Sequence, residues 1–291
     1  MPSPWQLGAA LLRAPAVEVT FALRQWLRWS RGGLELPHEA KAERFGHLTA
    51  ARRDAALAWE GDLRRRFDLD PLWARSTTTT WLGNLARLDA LDRLAAGLPL
   101  PDDGAGTVHA IDIGSGDFHY ATALQRWLAR HGRVAPRHVV LRGLELDGHG
   151  IYRDGRARAD HGRAHAAQAA AGTTANTVVR YEVADATARA LPEQDVATVF
   201  FPFLGPYACL RWGLPLSRLR PRRLLARAVA AVRPGGWLVL ANQTAAELER
   251  AERYLATLPV DRLATRALHC PYLPWAEQTA LQVVTLWRRR G

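Results

Sequence analysis

Asp112, Glu145 and Asp185 each close an apolar run, at residues 108–112 (VHAID), 138–145 (HVVLRGLE) and 178–185 (VVRYEVAD). Short runs of Val, Ile and Leu bounded by turn residues read as buried strands. A carboxylate at a strand end can accept both hydroxyls of a ribose or an exocyclic amine of adenine. After Asp112 the chain continues Ile-Gly114-Ser115-Gly116-Asp117. The two glycines remove Cβ where the chain turns tightly or a ligand touches backbone. Residues 121–128 (ATALQRWL) are apolar at helical spacing. The N-terminus of such a helix offers unpaired N–H groups to a polar ligand. The turn therefore reads as a ligand floor at the carboxyl ends of an open α/β sheet. The G-x-G-x-x-G pattern is not met, because His119 stands where its third glycine would be. No Gly-Lys-Ser/Thr follows, which excludes a P-loop. Acids at three successive strand ends suit a nucleoside bearing a cation better than one bearing phosphates.

In these motifs the chain resembles the class I S-adenosylmethionine (SAM)-dependent methyltransferases, over roughly residues 103–290. Asp112-Ile-Gly114-Ser-Gly116 matches their first motif, with Phe118 at the usual third glycine, a departure expected to reshape the floor under the methionine moiety. Glu145 aligns with the acid of the second motif, with Asp147 as the alternative, and Asp185-Ala186 with the third. Residues 195–203 (DVATVFFPF) look like the fourth strand and its donor-side loop, and residues 232–242 (VRPGGWLVLAN) like the RPGG turn and fifth strand. The resemblance implies a Rossmann-like α/β fold, a seven-stranded, mostly parallel sheet with its last strand antiparallel. It implies SAM as cofactor, held by Asp112, Gly114, Ser115, Gly116 and Asp117 at the methionine end. Glu145 and Leu146 would hold the ribose, Asp185 and Ala186 the adenine, and Phe201 the donor side.

The loop Phe200-Phe-Pro-Phe-Leu-Gly-Pro-Tyr207 bears on the acceptor. Methyltransferases acting on base or glutamine amines resemble Asp/Asn-Pro-Pro-Tyr here; Phe at the first position disfavours that chemistry. Aromatic walls pack an apolar substrate and can face a sulfonium cation. Phe203 and Tyr207 are therefore substrate-side candidates, with Trp81 from the helix preceding the first strand, where Thr80 and Asn84 could also reach. A hydroxyl or phenol acceptor would need a base. His119 and Tyr207 are the candidates, with Tyr120 nearby in sequence, while a capping or wall-lining role for His119 competes. An anion or free amine would need none.

Before residue 101 no strand pattern is visible, which predicts a helical lid or cap over residues 1–100 and a SAM-binding domain over residues 101–291. Residues 16–29 read as an amphipathic helix ended by Gly32-Gly33 and packed across the domain; Trp26 and Trp29 beside arginine would also suit a lid or membrane surface. Residues 38–67 read as a charged helical region broken at Asp70-Pro71. The threonines at 77–80 cap a helix carrying Leu82, Leu85, Leu88, Leu91 and Leu94. Residues 148–172 read as one Ala/Arg helix, residues 222–232 and 245–256 as two more, and residues 263–270 and 279–287 as the last strands. His161 and His165 sit four apart beside Asp160, but no further acid completes a ligand set, so no metal is expected.

The chain has 291 residues, 48% of them apolar, enough for a sizeable core. Its net charge of +11 would suit nucleic acid. Lys41, however, is the lone lysine among 39 basic residues, and the arginines are mostly scattered singly, as solvated helix faces require. Cys209 and Cys270 fit no zinc or C-x-x-C spacing and read as inert thiols of a cytoplasmic protein. No apolar run reaches bilayer length. The expected function is methyl transfer to a small, partly apolar molecule. An RNA methyltransferase, or a SAM-binding regulator or scaffold without activity, are the alternatives.

Overall fold

The computed structural model describes residues 3–133, 135–172, 177–273 and 282–291. Strands β1 (Thr107–Ile113), β2 (His138–Glu145), β3 (Thr177–Val183), β4 (Gln194–Phe200), β5 (Val232–Asn242), β6 (Val260–Ala267) and β7 (Val283–Arg289) form one sheet. Its order is β3-β2-β1-β4-β5-β7-β6, and β7 alone runs antiparallel to its neighbours. This is the Rossmann-like order that the resemblance implies. Strand order reverses between β1 and β4, and the glycine turn follows β1 at that point.

Alternation along β1 divides the core between two faces. Val108 and Ala110 join the cluster that includes α5 (Thr78–Leu94) and α6 (Ala121–Arg130). Ile111 and Ile113 face the opposite cluster, with Leu225 and Val229 of α9 (Pro221–Ala231) and Leu255 of α10 (Ala245–Leu255). All seven residues of β4 are buried, as a central strand covered on both faces requires. Leu82, Leu85, Leu88, Leu91 and Leu94 are all buried along α5, and the Thr77 hydroxyl accepts the Thr80 amide at its N-cap. The same cluster takes in Leu63 and Phe67 of α3 (Ala50–Phe67), so the N-terminal helices and the sheet share one core.

Several boundaries differ from the expectations. The helix α2 (Ala14–Leu27), preceded by α1 (Pro4–Leu12), stops at Arg28 in the left-handed region (φ 48°), before the Gly32-Gly33 pair. Asp68 (φ 54°) ends α3, and Asp70-Pro71 opens the short α4 (Asp70–Ala74), because proline is tolerated in a first helical turn. Only Arg158–Ala171 of the segment 148–172 is helix (α7); before it, Gly155 (φ 74°) turns the chain and Ile151 bridges Ala157. The strand expected at 263–270 starts earlier, at Val260: it is an edge strand, and exposed Asp261, Arg262 and Arg266 hide its apolar signal. Of the strand expected at 279–287, the first three positions lie outside the described residues.

The inner face of α2 buries Phe21 against Cys209 and Leu214, while Arg24 pairs with Asp147 at 3.2 Å. Its outer face leaves Val19, Leu23 and Trp26 exposed. Beyond α2, Asp160 of α7 accepts from the Ser30 hydroxyl and from the Arg31 and Gly32 amides. Burial opposes ionisation of this carboxyl, but those four-way bonds, with the Ala157 amide, hold it down to about 2. No helix among the described residues is long and apolar enough to cross a membrane.

Candidate functional site

The turn after β1 is built by main-chain bonds. The Gly114 and Ser115 amides both donate to the Leu144 carbonyl, at 2.8 and 3.1 Å. Gly114 (φ 78°) and Gly116 (φ 58°) occupy the left-handed region, and a Cβ at either would project into open space. That space is a cavity of about 290 Å³ lined by Gly114, Ser115, Gly116, Asp117, Glu145, Leu146, Asp185, Ala186, Phe201 and Phe203. Ser115 is 1% exposed, and among the described residues its hydroxyl has no hydrogen-bond partner. A buried orphan hydroxyl on the wall of a cavity with a bare backbone floor is what a polar ligand would satisfy.

The carboxylates divide into two kinds. Glu145 and Asp185 line this cavity. Glu145 accepts from the Gly116 amide at 2.8 Å and the Asp147 amide at 2.8 Å, with Arg158 at 3.5 Å. Asp185 takes the Thr187 amide and hydroxyl on one oxygen and Arg218 at 3.2 Å on the other. A carboxylate has about four lone-pair sites, so each keeps capacity for a ligand hydroxyl or amine. Asp112 is different. Its side chain lies under the floor, away from the cavity, accepting from the Tyr120 hydroxyl at 2.7 Å and from the Thr198 hydroxyl. Burial pushes its carboxyl up to about 6 against those two bonds. The expectation that Asp112 touches the methionine end is corrected: it ties β1 to β4 and to the start of α6.

Phe118 is also corrected. It adopts φ 58°, where the resemblance expects glycine, but its ring is wholly buried below the turn against Gly143, Tyr120 and Tyr181. The backbone keeps the glycine conformation, at a strain of about 1–3 kcal/mol, so the cavity floor is not reshaped by the ring. Trp81 lies away from both cavities. It is 0% exposed, donates to Glu60 and packs edge-on to Trp73. Its neighbour Thr80 lines a cavity, and Asn84 donates to the His119 carbonyl while accepting the Ala123 amide. Helical spacing turns Trp81 inward when Thr80 and Gly83 face the cavity. Tyr207, on α8 (Pro206–Arg211), lines none of the cavities found among the described residues.

A second cavity of about 570 Å³ adjoins the first, and Arg87, Asp117, His119 and Phe201 line both. Its other walls come from α5, α7, residues 36–37 and residues 268–273. At the shared wall, His119 Nε2 lies 2.9 Å from an Arg87 Nη and Nδ1 lies 2.6 Å from Asp117. Arginine can only donate, so Nε2 must accept and the proton sits on Nδ1, pointing at Asp117. Burial and then Arg87 push His119 below its ordinary value, keeping it neutral. Burial raises Asp117, but its interactions with His119 and His165 together outweigh it and leave the carboxyl well below the usual range. The His119 lone pair is thus occupied by Arg87, which leaves a base role without a free acceptor atom in this arrangement. Phe201 reaches the wall through a left-handed backbone (φ 56°) at the end of β4.

Sequence reading missed Arg87, Tyr152, Arg158, Trp212 and Arg218, and weighed His165 only as a metal ligand; all of them line a cavity. None lies within a motif; each arrives from a helix or loop remote from the glycine turn. Among the described residues no group of three or more His, Cys, Asp or Glu is placed to hold a metal ion. His161 pairs instead with Asp154 at 2.9 Å.

No protein-family model matches the chain, and no curated protein does. Among solved structures it is similar to TrmN from Thermus thermophilus, at 20% identity over 71% of this chain and 48% of that one, with TM-score 0.44. It is similar to geranyl diphosphate C-methyltransferase from Streptomyces coelicolor at 11% identity over 73% and 80% of the two chains, TM-score 0.45. N-methyltransferase NodS from Bradyrhizobium japonicum gives 13% over 70% and 95%, TM-score 0.41. The chain spans about half the length of the TrmN chain. These likenesses are of fold alone.

Proposed function

Starting from a sheet with the methyltransferase strand order, we propose that the chain transfers a methyl group from SAM to a small, partly apolar molecule. The cofactor lies over the Gly114–Gly116 turn and the acceptor in the second cavity. The observation that carries this is the shared lining: Arg87, Asp117, His119 and Phe201 line both a bare-backbone cavity and a larger side-chain cavity, so the two adjoin there. A donor in one then faces an acceptor in the other.

The sulfonium supplies a methyl already activated for in-line displacement, the acceptor's lone pair forming the new bond as the C–S pair passes to sulfur. The chain's own residues mainly align the two partners. Gly114 and Gly116 let backbone meet the methionine end, and Ser115 Oγ finds its missing partner there. Glu145 takes ribose hydroxyls, Asp185 the adenine amine, and Leu146 and Ala186 the faces of the base. Phe201 and Phe203 exclude water beside the transferring methyl. His119 positions Arg87 and Asp117 rather than removing a proton. The N-terminal helices serve as a cover: α2 backs Leu146, Phe203, Cys209 and Leu214, which are wall residues of the cofactor cavity.

Incubation with methyl-labelled SAM and fractionated host extract tests the reading. Label is expected in small molecules. Label confined to RNA or protein would overturn the acceptor class, and cofactor binding without transfer to any fraction would overturn the activity.

A further inference from the structure

We propose that the second cavity selects a small carboxylic acid with an apolar body, and that Arg87 takes its carboxylate. This rests on the reading of that cavity as the acceptor site. Arg87 stands on α5 at the shared wall, its guanidinium 4.5 Å from the Tyr120 ring centroid. Among the described residues it makes one hydrogen bond, from Nη1 to His119. Among the described residues no carboxylate lies within ion-pair distance of it, and Asp117, the one acid on the cavity wall, is held by His119 at 2.6 Å. Burial pushes Arg87 down from its ordinary value, the mark of a charge whose lost hydration is not repaid. A guanidinium offers five N–H donors in a planar fork that matches a carboxylate. Among the described residues that fork meets one hydrogen-bond acceptor, His119 Nε2, and Arg87 lines both cavities.

The surroundings fix the class of anion. Arg75 is exposed at the same cavity and makes no side-chain ion pair among the described residues. His165, buried to 8% exposure on the cavity wall, has Nδ1 without a hydrogen-bond partner among the described residues. One half-buried guanidinium, an outer arginine and a neutral imidazole suit a monoanion better than a phosphate dianion. Leu36, Leu268, Leu273 and Phe201 supply the apolar wall for its body. The rival source of a carboxylate is the cofactor's methionyl group, because Arg87 also lines the first cavity.

The test is ligand-observed NMR with phenylacetate, 2-naphthoate and decanoate against their primary amides, with and without S-adenosylhomocysteine. Acids should bind at least tenfold tighter than amides, and Arg87→Gln should remove that preference while leaving the amides unchanged. Arg75→Gln, at an exposed position, should weaken the acids less. Should Arg87→Gln fail to fold, Arg87→Lys, which keeps the charge without the fork, should weaken the acids severalfold. Calorimetry with S-adenosylhomocysteine and 5′-methylthioadenosine separates the sources: their affinity ratio should be the same in wild type and Arg87→Gln. Selective loss of S-adenosylhomocysteine binding would assign Arg87 to the cofactor and overturn the proposal. Acids and amides binding alike, or no acid binding, would also overturn it. Failure of wild type to bind either nucleoside would count against the proposed function instead, since the acid series reads on Arg87 without cofactor.

Discussion

The two cavities that meet at Arg87 and His119 are made in different ways. The smaller one has a main-chain floor: Gly114 and Gly116 in left-handed conformations, fixed by amide bonds to the Leu144 carbonyl and to Glu145. The larger one is walled by side chains from α5, α7 and two segments far apart in sequence. A floor of backbone tolerates few substitutions, because only glycine supplies the conformation and the open space together. A wall of side chains can be altered residue by residue to suit a different guest. The difference teaches where variation is cheap: the guest of the larger cavity can change while the smaller cavity stays as it is.

Substitution in the floor should separate the cavities most sharply. Gly116→Val forces a β-branched residue to φ 58° and places its methyls in the ligand space. S-adenosylhomocysteine affinity by calorimetry should fall a hundredfold or more, with binding of apolar acids to the second cavity retained. Glu145→Ala should cost tenfold or more in the same measurement with the fold intact; unchanged affinity would refute its role at the ribose.

Residues beneath the walls should alter stability without altering affinity. Trp81→Ala removes a fully buried indole and should cost about 3–5 kcal/mol in denaturant unfolding. Phe118→Gly relieves a left-handed backbone but empties the space against Gly143, so a smaller net loss of about 2 kcal/mol is expected. Both folded variants should bind S-adenosylhomocysteine as wild type does. Complete loss of binding in Phe118→Gly would show that the ring does shape the floor.

The smallest effect should come from pH. Asp112 has its carboxyl pushed up to about 6 from an ordinary value of 3.8. Between those values the native chain binds more protons there than the unfolded chain. The stability contributed is therefore full below pH about 4 and lost as pH rises through about 6. The Tm of wild type minus that of Asp112→Asn should fall as pH rises across that window in calorimetry, and a difference that rises would mean that the carboxyl titrates low.

Much of the cofactor side was legible. Apolar runs ending in Asp112, Glu145 and Asp185 became the first three strands or their immediate ends, and the glycine turn fell at the reversal of strand order. The five leucines of α5 are all buried as their spacing requires. The errors share a cause. Asp112 and Trp81 were placed by position in a motif or helix, yet which way each side chain points depended on partners elsewhere, Tyr120 and Thr198 for one, Glu60 and Trp73 for the other. Tyr207 was placed by proximity in sequence to the donor loop, but α8 carries it off the cavity walls.

By itself the sequence determined the strands, the turn and two carboxylates that line the smaller cavity, because hydrophobic period and glycine conformation act over a few neighbouring residues. Only the tertiary structure decided that a guanidinium from α5, an imidazole from α7 and the His119–Asp117 pair would stand around one cavity. Those groups are separated by tens of residues, and nothing local in the chain encodes the distance between them.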